Sequence, residues 1–178
     1  MTKEELLNAL QRVQENYFLG TAALEKFLMP EWERISNGAY LFLGTLPPLE
    51  CPIPELRKKL QDPENRKVVF QQHEASLRRS FLREPYELVT RYCSTTKPKQ
   101  TPKFRSWIHF EFAEAIRLSI AHGERLGTLV VDRALPNGTD IKWQDIHITS
   151  TTTEIPMTSQ HAVYFFRDIE AFVKNDLD

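Results

Sequence analysis

The sequence predicts a mainly α fold, a helical bundle of four to six helices with a small β-hairpin late in the chain. Three observations carry the prediction. Apolar residues recur at helical spacing near both ends and through the middle of the chain. Proline-containing stretches, LPPLECPIP and KPKQTPK, separate those windows. One late segment alone, TLVVDRALPNGTDIKWQDIHITS, reads as two strands around a tight turn.

Taken in order, Glu4 to Leu28 places Leu7, Leu10, Val13, Tyr17, Leu24 and Phe27 near helical spacing. Thr2 is the expected N-cap, with Glu5 three residues on, and Pro30 is the expected stop. The turn-rich SNGAYLFLGTLPPLECPIP is expected to wrap over the surface. Pro54 opens a short helix, PELRKKL, since proline suits the first helical position. A second helix is expected from Asp62-Pro63 to about Arg83, carrying Val68, Val69, Phe70, Leu77 and Phe81. Pro85 then breaks or kinks it before YELVTRYC continues. The polar STTKPKQTPK is the clearest loop, with no core residue, and is expected to be mobile. Phe104 to His122 follows as one helix, then the hairpin with its turn at Pro136-Asn137-Gly138. Ser159 to Asp176 closes the chain as an amphipathic helix using Val163, Phe166, Ile169, Phe172 and Val173.

With 178 residues, 41% hydrophobic and 26% charged, the chain reads as a single globular domain over 1–178. No run of eighteen apolar residues is present, so no membrane partner is expected. The N-terminus MTKEELLNALQ does not fit a secretory signal. Cys51 and Cys93 are too few and too far apart for a disulfide scaffold, which suits a cytoplasmic setting. The net charge of −1 hides an uneven distribution. Between Arg57 and Arg105 lie 13 of the 23 Lys and Arg but 5 of the 24 Asp and Glu, a local balance of +8 against −9 elsewhere. Within that block RYCSTTKPKQTPKFR contains Arg91, Lys97, Lys99, Lys103 and Arg105 and no acid. Such a face suits a phosphate backbone, and it equally suits a solvated loop.

On a wheel of about 100° per residue, the apolar side chains of Phe104–His122 cover all sides, which marks a buried helix. Charges on such a helix are costly unless paired. Glu111, Glu114 and Arg117 nonetheless form one slanting polar stripe. Glu114 and Arg117 are spaced to pair, His122 favours the C-terminal end of the helix dipole, and Gly123 can end the helix. His109, between Ile108 and Phe110, reads as a core or rim histidine. Cys93 has no partner motif for a thiol nucleophile. No His, Cys, Asp or Glu spacing has a metal-site pattern, and no glycine-rich phosphate loop is present, so no metal or cofactor is expected.

The stretch FAEAIRLSIAHG resembles the signature helix of HEPN domains (higher eukaryote and prokaryote nucleotide-binding), which carry an Arg, four to six residues, then a His at the end of a late helix. The resemblance extends from Lys103 to about Val173, and the upstream helices fit as a generic bundle. The family usually has a polar residue directly after the Arg, where this chain has Leu118. The resemblance implies a HEPN-like fold, a homodimer and metal-independent RNA cleavage, as in a toxin or defence component with an antitoxin or other protein partner. Arg117 and His122 of two subunits would share one cleft as catalytic residues. Glu114 and Ser119 would support them, and Lys97, Lys99, Lys103 and Arg105 would contact phosphates non-specifically.

That chemistry suits these residue types. RNA carries its own nucleophile, the 2′-OH. A histidine with a reference pKa of ~6.5 can move the protons, and a guanidinium can steady charge on the phosphate oxygens. The competing expectation, from another class, is a non-catalytic helical module for dimerisation, partner or nucleotide binding, in which Arg117 and His122 are structural.

Overall fold

A computed structural model of the chain describes residues 1–27, 58, 60–120, 124–125, 128–131 and 137–178. Pro30, the turn-rich stretch over 36–54, Cys51, most of PELRKKL, His122, Gly123 and Pro136 lie outside the described residues. The chain divides into two compact units, Met1–Tyr17 with Ala75–Asp178, and Phe18–Glu74. The second carries the last turns of the first helix and the first turns of the next, with Leu60 buried. The core and the site described below belong to the first.

Helix α1 spans Lys3–Phe27. It opens on the expected capping box: Thr2 Oγ1 accepts from the Glu5 N–H at 3.1 Å, and Glu5 Oε2 accepts from the Thr2 N–H at 2.7 Å. Leu6, Leu10, Val13 and Tyr17, at steps of four, three and four, form its buried stripe.

Helix α2 spans Pro63–Arg91. Asp62 Oδ1 caps it, accepting from the backbone N–H groups of Glu64 at 2.8 Å and Asn65 at 3.0 Å, with Pro63 in the first turn where its missing N–H costs nothing. The helix continues through Pro85, where the sequence predicts a break or a kink, so of the two a break is excluded. Packing explains the continuity. An interior proline costs about 3 kcal/mol. Phe81, Leu82, Tyr86 and Val89 around it are all buried, at roughly 1.5–3 kcal/mol each, and hold the helix on course.

The segment expected as a mobile loop is wound into short turns: a π turn over Tyr92–Thr96, a 3-10 turn over Pro98–Gln100 and helix α3 over Thr101–Arg105. Pro98 and Pro102 sit in the first turns of these pieces, where proline is tolerated. Polar side chains anchor the segment. Thr101 Oγ1 donates to the Cys93 carbonyl at 2.8 Å, and Gln100, itself buried, donates to Asp178 Oδ2 at 2.8 Å. The Tyr92 hydroxyl donates to the Asp178 backbone oxygen.

The helix expected over Phe104–His122 is interrupted. Helix α4 spans Phe110–Ile120, and Ser106–His109 form turns in which the Trp107 N–H donates to the Phe104 carbonyl and the Phe110 N–H to that of Trp107. Ser106 Oγ donates to the Lys103 carbonyl at 3.0 Å. On one straight helix Phe104 and Phe110 would lie about 240° round from each other. The interruption lets their rings meet edge to face at 5.2 Å, with Phe172 5.7 Å from Phe104. Consequently α4 is amphipathic instead of apolar all round. It buries Phe112, Ala113, Ala115, Ile116 and Ser119, five of its eleven residues, and exposes Glu111, Arg117 and Leu118.

Five short strands follow: β1 Glu124–Arg125, β2 Thr128–Val130, β3 Asp140–Trp143, β4 Ile146–Thr149 and β5 Glu154–Pro156. The late hairpin exists, but it is β3–β4, with Trp143 paired to Ile146 across Gln144-Asp145. Asn137-Gly138 does form a turn, yet β2 pairs antiparallel with β1 and β5 instead of β3. Gln144 supplies the positive φ, +52°, that a two-residue hairpin needs. Trp143 fixes the hairpin by stacking on Phe112 at 4.5 Å and donating its indole N–H to Asp168 at 2.8 Å.

Helix α5 spans Ser159–Asp176, with the expected bounds. Thr158 Oγ1 accepts from the His161 N–H at 3.2 Å, and Ala162, Phe165, Phe166, Ile169, Phe172 and Val173 are buried. Stacked rings of Tyr17 and Phe81 at 4.2 Å, and of Phe81 and Phe166 at 5.0 Å, join α1, α2 and α5 in one core. Among the described residues no helix is long and apolar enough to cross a membrane.

Candidate functional site

Arg117 stands on the exposed side of α4, three residues after Glu114. One turn of helix brings Arg117 Nη2 to 3.2 Å from Glu114 Oε2, the i, i+3 pair the sequence predicts. A third residue, not predicted, completes the group. Tyr86 of α2 donates its hydroxyl hydrogen to Glu114 Oε1 at 2.5 Å, and its ring lies 5.9 Å from the Arg117 guanidinium carbon. Burial of the Tyr86 phenol, then its bond to the Glu114 carboxylate, pushes its ionisation well above the ordinary tyrosine value.

These three residues line a cleft of about 490 Å³ whose walls also include Thr90 and Arg91 at the end of α2 and Ser94 and Thr95 of the π turn. The acids of the cleft are engaged: Glu114 by Arg117 and Tyr86, and Glu87 by Arg83 at 2.7 Å. Arg91 is exposed and has no ion-pair partner among the described residues. Thr90 Oγ1, buried beside the Tyr86 hydroxyl, tempers the rise in its pKa. The cleft therefore presents two guanidinium groups, one of them without an ion pair among the described residues, beside the exposed hydroxyls of Ser94 and Thr95. That is an arrangement for an oxyanion.

Ser119, Lys97, Lys99, Lys103 and Arg105, also expected at the site from the sequence, fall elsewhere. Ser119 is buried and its hydroxyl donates back to the Ala115 carbonyl at 2.8 Å, about 200° round the helix from Arg117. Lys97, Lys99 and Arg105 are exposed on the turns after α2, and Lys103 is paired with Asp178 at 2.9 Å. None of these four side chains lines the cleft. His122 lies outside the described residues, as does Gly123. His109 behaves as the rim histidine expected, edge-on to Trp107 at 5.4 Å and 3.9 Å from Asp168. The Cys93 thiol is buried, and loss of water pushes its pKa up to about 11, which leaves it a poor nucleophile. Among the described residues no group of three or more His, Cys, Asp or Glu is placed to hold a metal ion.

Tyr86, Thr90, Arg91, Ser94 and Thr95 are the residues sequence reasoning missed. Their signal is present in YELVTRYCSTT, where Tyr86 and Thr90 share a helix face and Arg91, Ser94 and Thr95 follow within about a turn. The winding of the π turn, which brings Ser94 and Thr95 to the cleft, carries no such signature. No protein-family model, no curated protein and no solved structure matches this chain.

Proposed function

We propose that this chain is a metal-independent endoribonuclease of the HEPN type, acting as a homodimer in which Arg117 and His122 of two subunits serve one cleft. The observation that carries the reading is the setting of Arg117. Its side chain remains 42% exposed on the wall of the cleft, with the guanidinium oriented by Glu114 and Tyr86. A guanidinium so held is already aimed when a phosphate arrives, and it can take up charge as that charge grows on the non-bridging oxygens. His122, five residues further along the chain, would take the proton of the 2′-OH and return one to the leaving oxygen. The expected setting is the cytoplasm, as a toxin or defence component held in check by an antitoxin or other protein partner.

The test uses RNA incubated in EDTA, with analysis of product ends. The expected outcome is 2′,3′-cyclic phosphate ends that disappear in His122→Ala and in Arg117→Ala. Full cleavage by His122→Ala, or cleavage only with added magnesium, defeats the reading. One observation favours the second class, a non-catalytic helical module for dimerisation, partner or nucleotide binding: Glu114 and Tyr86 already engage Arg117. In that case Arg117→Ala changes complex formation or nucleotide binding, and RNA stays intact with every variant.

A further inference from the structure

The end of α2 departs from regular helix where it meets the cleft. Over Tyr92–Thr96 the backbone widens into a π turn, closed by the Lys97 N–H on the Tyr92 carbonyl at 2.8 Å. Such turns are uncommon and cluster at functional sites. This one is held firmly from outside the cleft, by Thr101 on the Cys93 carbonyl and by Tyr92 on Asp178. Ser94 and Thr95, both lining the cleft, have hydroxyls 3.5 Å apart. Next to them stands Arg91, a cation without a counter-ion among the described residues. A cation without an ion pair among the described residues and two exposed hydroxyls on a braced turn call for a ligand with several acceptor oxygens and negative charge.

We propose that this cleft holds one backbone phosphate of a single-stranded RNA, adjacent to the phosphate contacted by Arg117. Arg91 is its charge partner, and the exposed hydroxyls of Ser94 and Thr95 are its hydrogen-bond donors. The assignment rests on the reading of Arg117 as a phosphate contact. It separates the work of the basic residues. Arg91 grips one defined phosphate, whereas Lys97 and Lys99, outside the cleft, contribute only diffuse attraction.

The experiment measures binding of a fluorescent 2′-O-methyl oligoribonucleotide, which cannot be cleaved through its 2′ oxygen, by anisotropy over a range of salt concentrations. A single neutral methylphosphonate is then walked along the strand. Arg91→Ala is expected to weaken binding by about tenfold and to reduce the salt slope by about one. Ser94→Ala/Thr95→Ala should weaken it about threefold, by loss of two neutral donors. In the wild-type protein one methylphosphonate position should cost as much as Arg91→Ala. In Arg91→Ala that same position should cost nothing further. Arg91→Lys, which keeps the charge on an exposed helix end, should retain most of the binding and serves if the alanine variant folds poorly.

The proposal is overturned if Arg91→Ala binds as the wild type does. It is also overturned if its loss and the methylphosphonate losses multiply independently at every position, or if no oligonucleotide binds. Because the probe is not a substrate, the outcome is independent of catalysis. Coupling without any cleavage of ordinary RNA would retire the ribonuclease reading and keep the subsite, and cleavage without coupling would do the reverse.

Discussion

The Tyr86 hydroxyl and the Glu114 carboxylate share a 2.5 Å hydrogen bond that joins the last turns of α2 to the middle of α4. The bond leaves the other oxygen of Glu114 facing Arg117 at 3.2 Å, so one carboxylate fixes both the phenol and the guanidinium. Tyr86 is buried and Glu114 partly so, a setting in which a charge-assisted bond outweighs the loose surface pairs elsewhere on these helices.

Removing that bond while keeping the ring gives the first prediction. Tyr86→Phe should lower unfolding free energy by about 1.5 kcal/mol, because the bond is to a charged acceptor that keeps Arg117 as a partner. Glu114→Ala should cost more, since it leaves the buried phenol unsatisfied. The double variant should cost less than the two combined, a coupling that urea denaturation can read directly. The phenol is held protonated in the folded chain above the value of the unfolded one. Its contribution is therefore complete at neutral pH and declines as pH rises past about 10. The gap between wild type and Tyr86→Phe should shrink above that pH.

Arg117 separates catalytic from structural roles by magnitude. An i, i+3 pair as exposed as Arg117–Glu114 is worth no more than about 0.5 kcal/mol. Arg117→Ala should thus unfold within that margin of the wild type. On the ribonuclease reading the same change should slow cleavage by roughly two to three orders of magnitude, the usual effect of removing one oxyanion-stabilising group. Arg117→Lys, a point charge without the planar fork, should recover only part of that loss. A slowed reaction in a protein of unchanged stability is the required signature, measured by single-turnover kinetics beside a denaturation curve.

Helix ends were more legible in the sequence than helix interiors, for a physical reason. The caps at Thr2, Asp62 and Thr158 are local, settled by side chains within three residues of the backbone they serve, and α5 has the expected bounds. Pro85 and Ser106 depend on what packs against them. A proline rule allows a break or a kink at Pro85, and a buried face of four large residues prevents the break. A wheel predicts one helix through Ser106, and the meeting of Phe104 with Phe110 breaks it. The site divides in the same way. The Glu114–Arg117 pair is local and readable. Tyr86 reaches Glu114 from 28 positions away, and only the packing of α2 on α4 brings them together.

Cys93 offers a titration with a clear sign. Burial raises its thiol from the ordinary 9.0 to about 11, so the folded chain holds that proton where the unfolded chain has lost it. Stability from this source is complete below pH 9, falls between about 9 and 11, and is gone above. In a Cys51→Ser background the native protein should react negligibly with a thiol-specific disulfide reagent at pH 8, and fully once urea unfolds it. Fast reaction in the native state would mean that Cys93 is not enclosed as described.

The hairpin supplies the last prediction, and it is a paired one. Gln144 occupies the first position of the β3–β4 turn at φ +52°, a region that costs an L-residue about 1–2 kcal/mol. Gly138 occupies φ +87°, with nothing within 4 Å of where a Cβ would stand. Glycine at 144 removes the backbone cost but gives the unfolded chain more freedom, about 0.5–1 kcal/mol. Gln144→Gly should therefore stabilise by about 0.5 kcal/mol. Gly138→Ala should destabilise by about 1 kcal/mol through the backbone alone, since no atom obstructs the methyl group. Tight pairing of Trp143 with Ile146, and the stacking of Trp143 on Phe112, keep the hairpin in register while either change is made. Thermal denaturation followed by tryptophan fluorescence measures both variants. A destabilised Gln144→Gly would mean that position 144 does not hold the positive φ described.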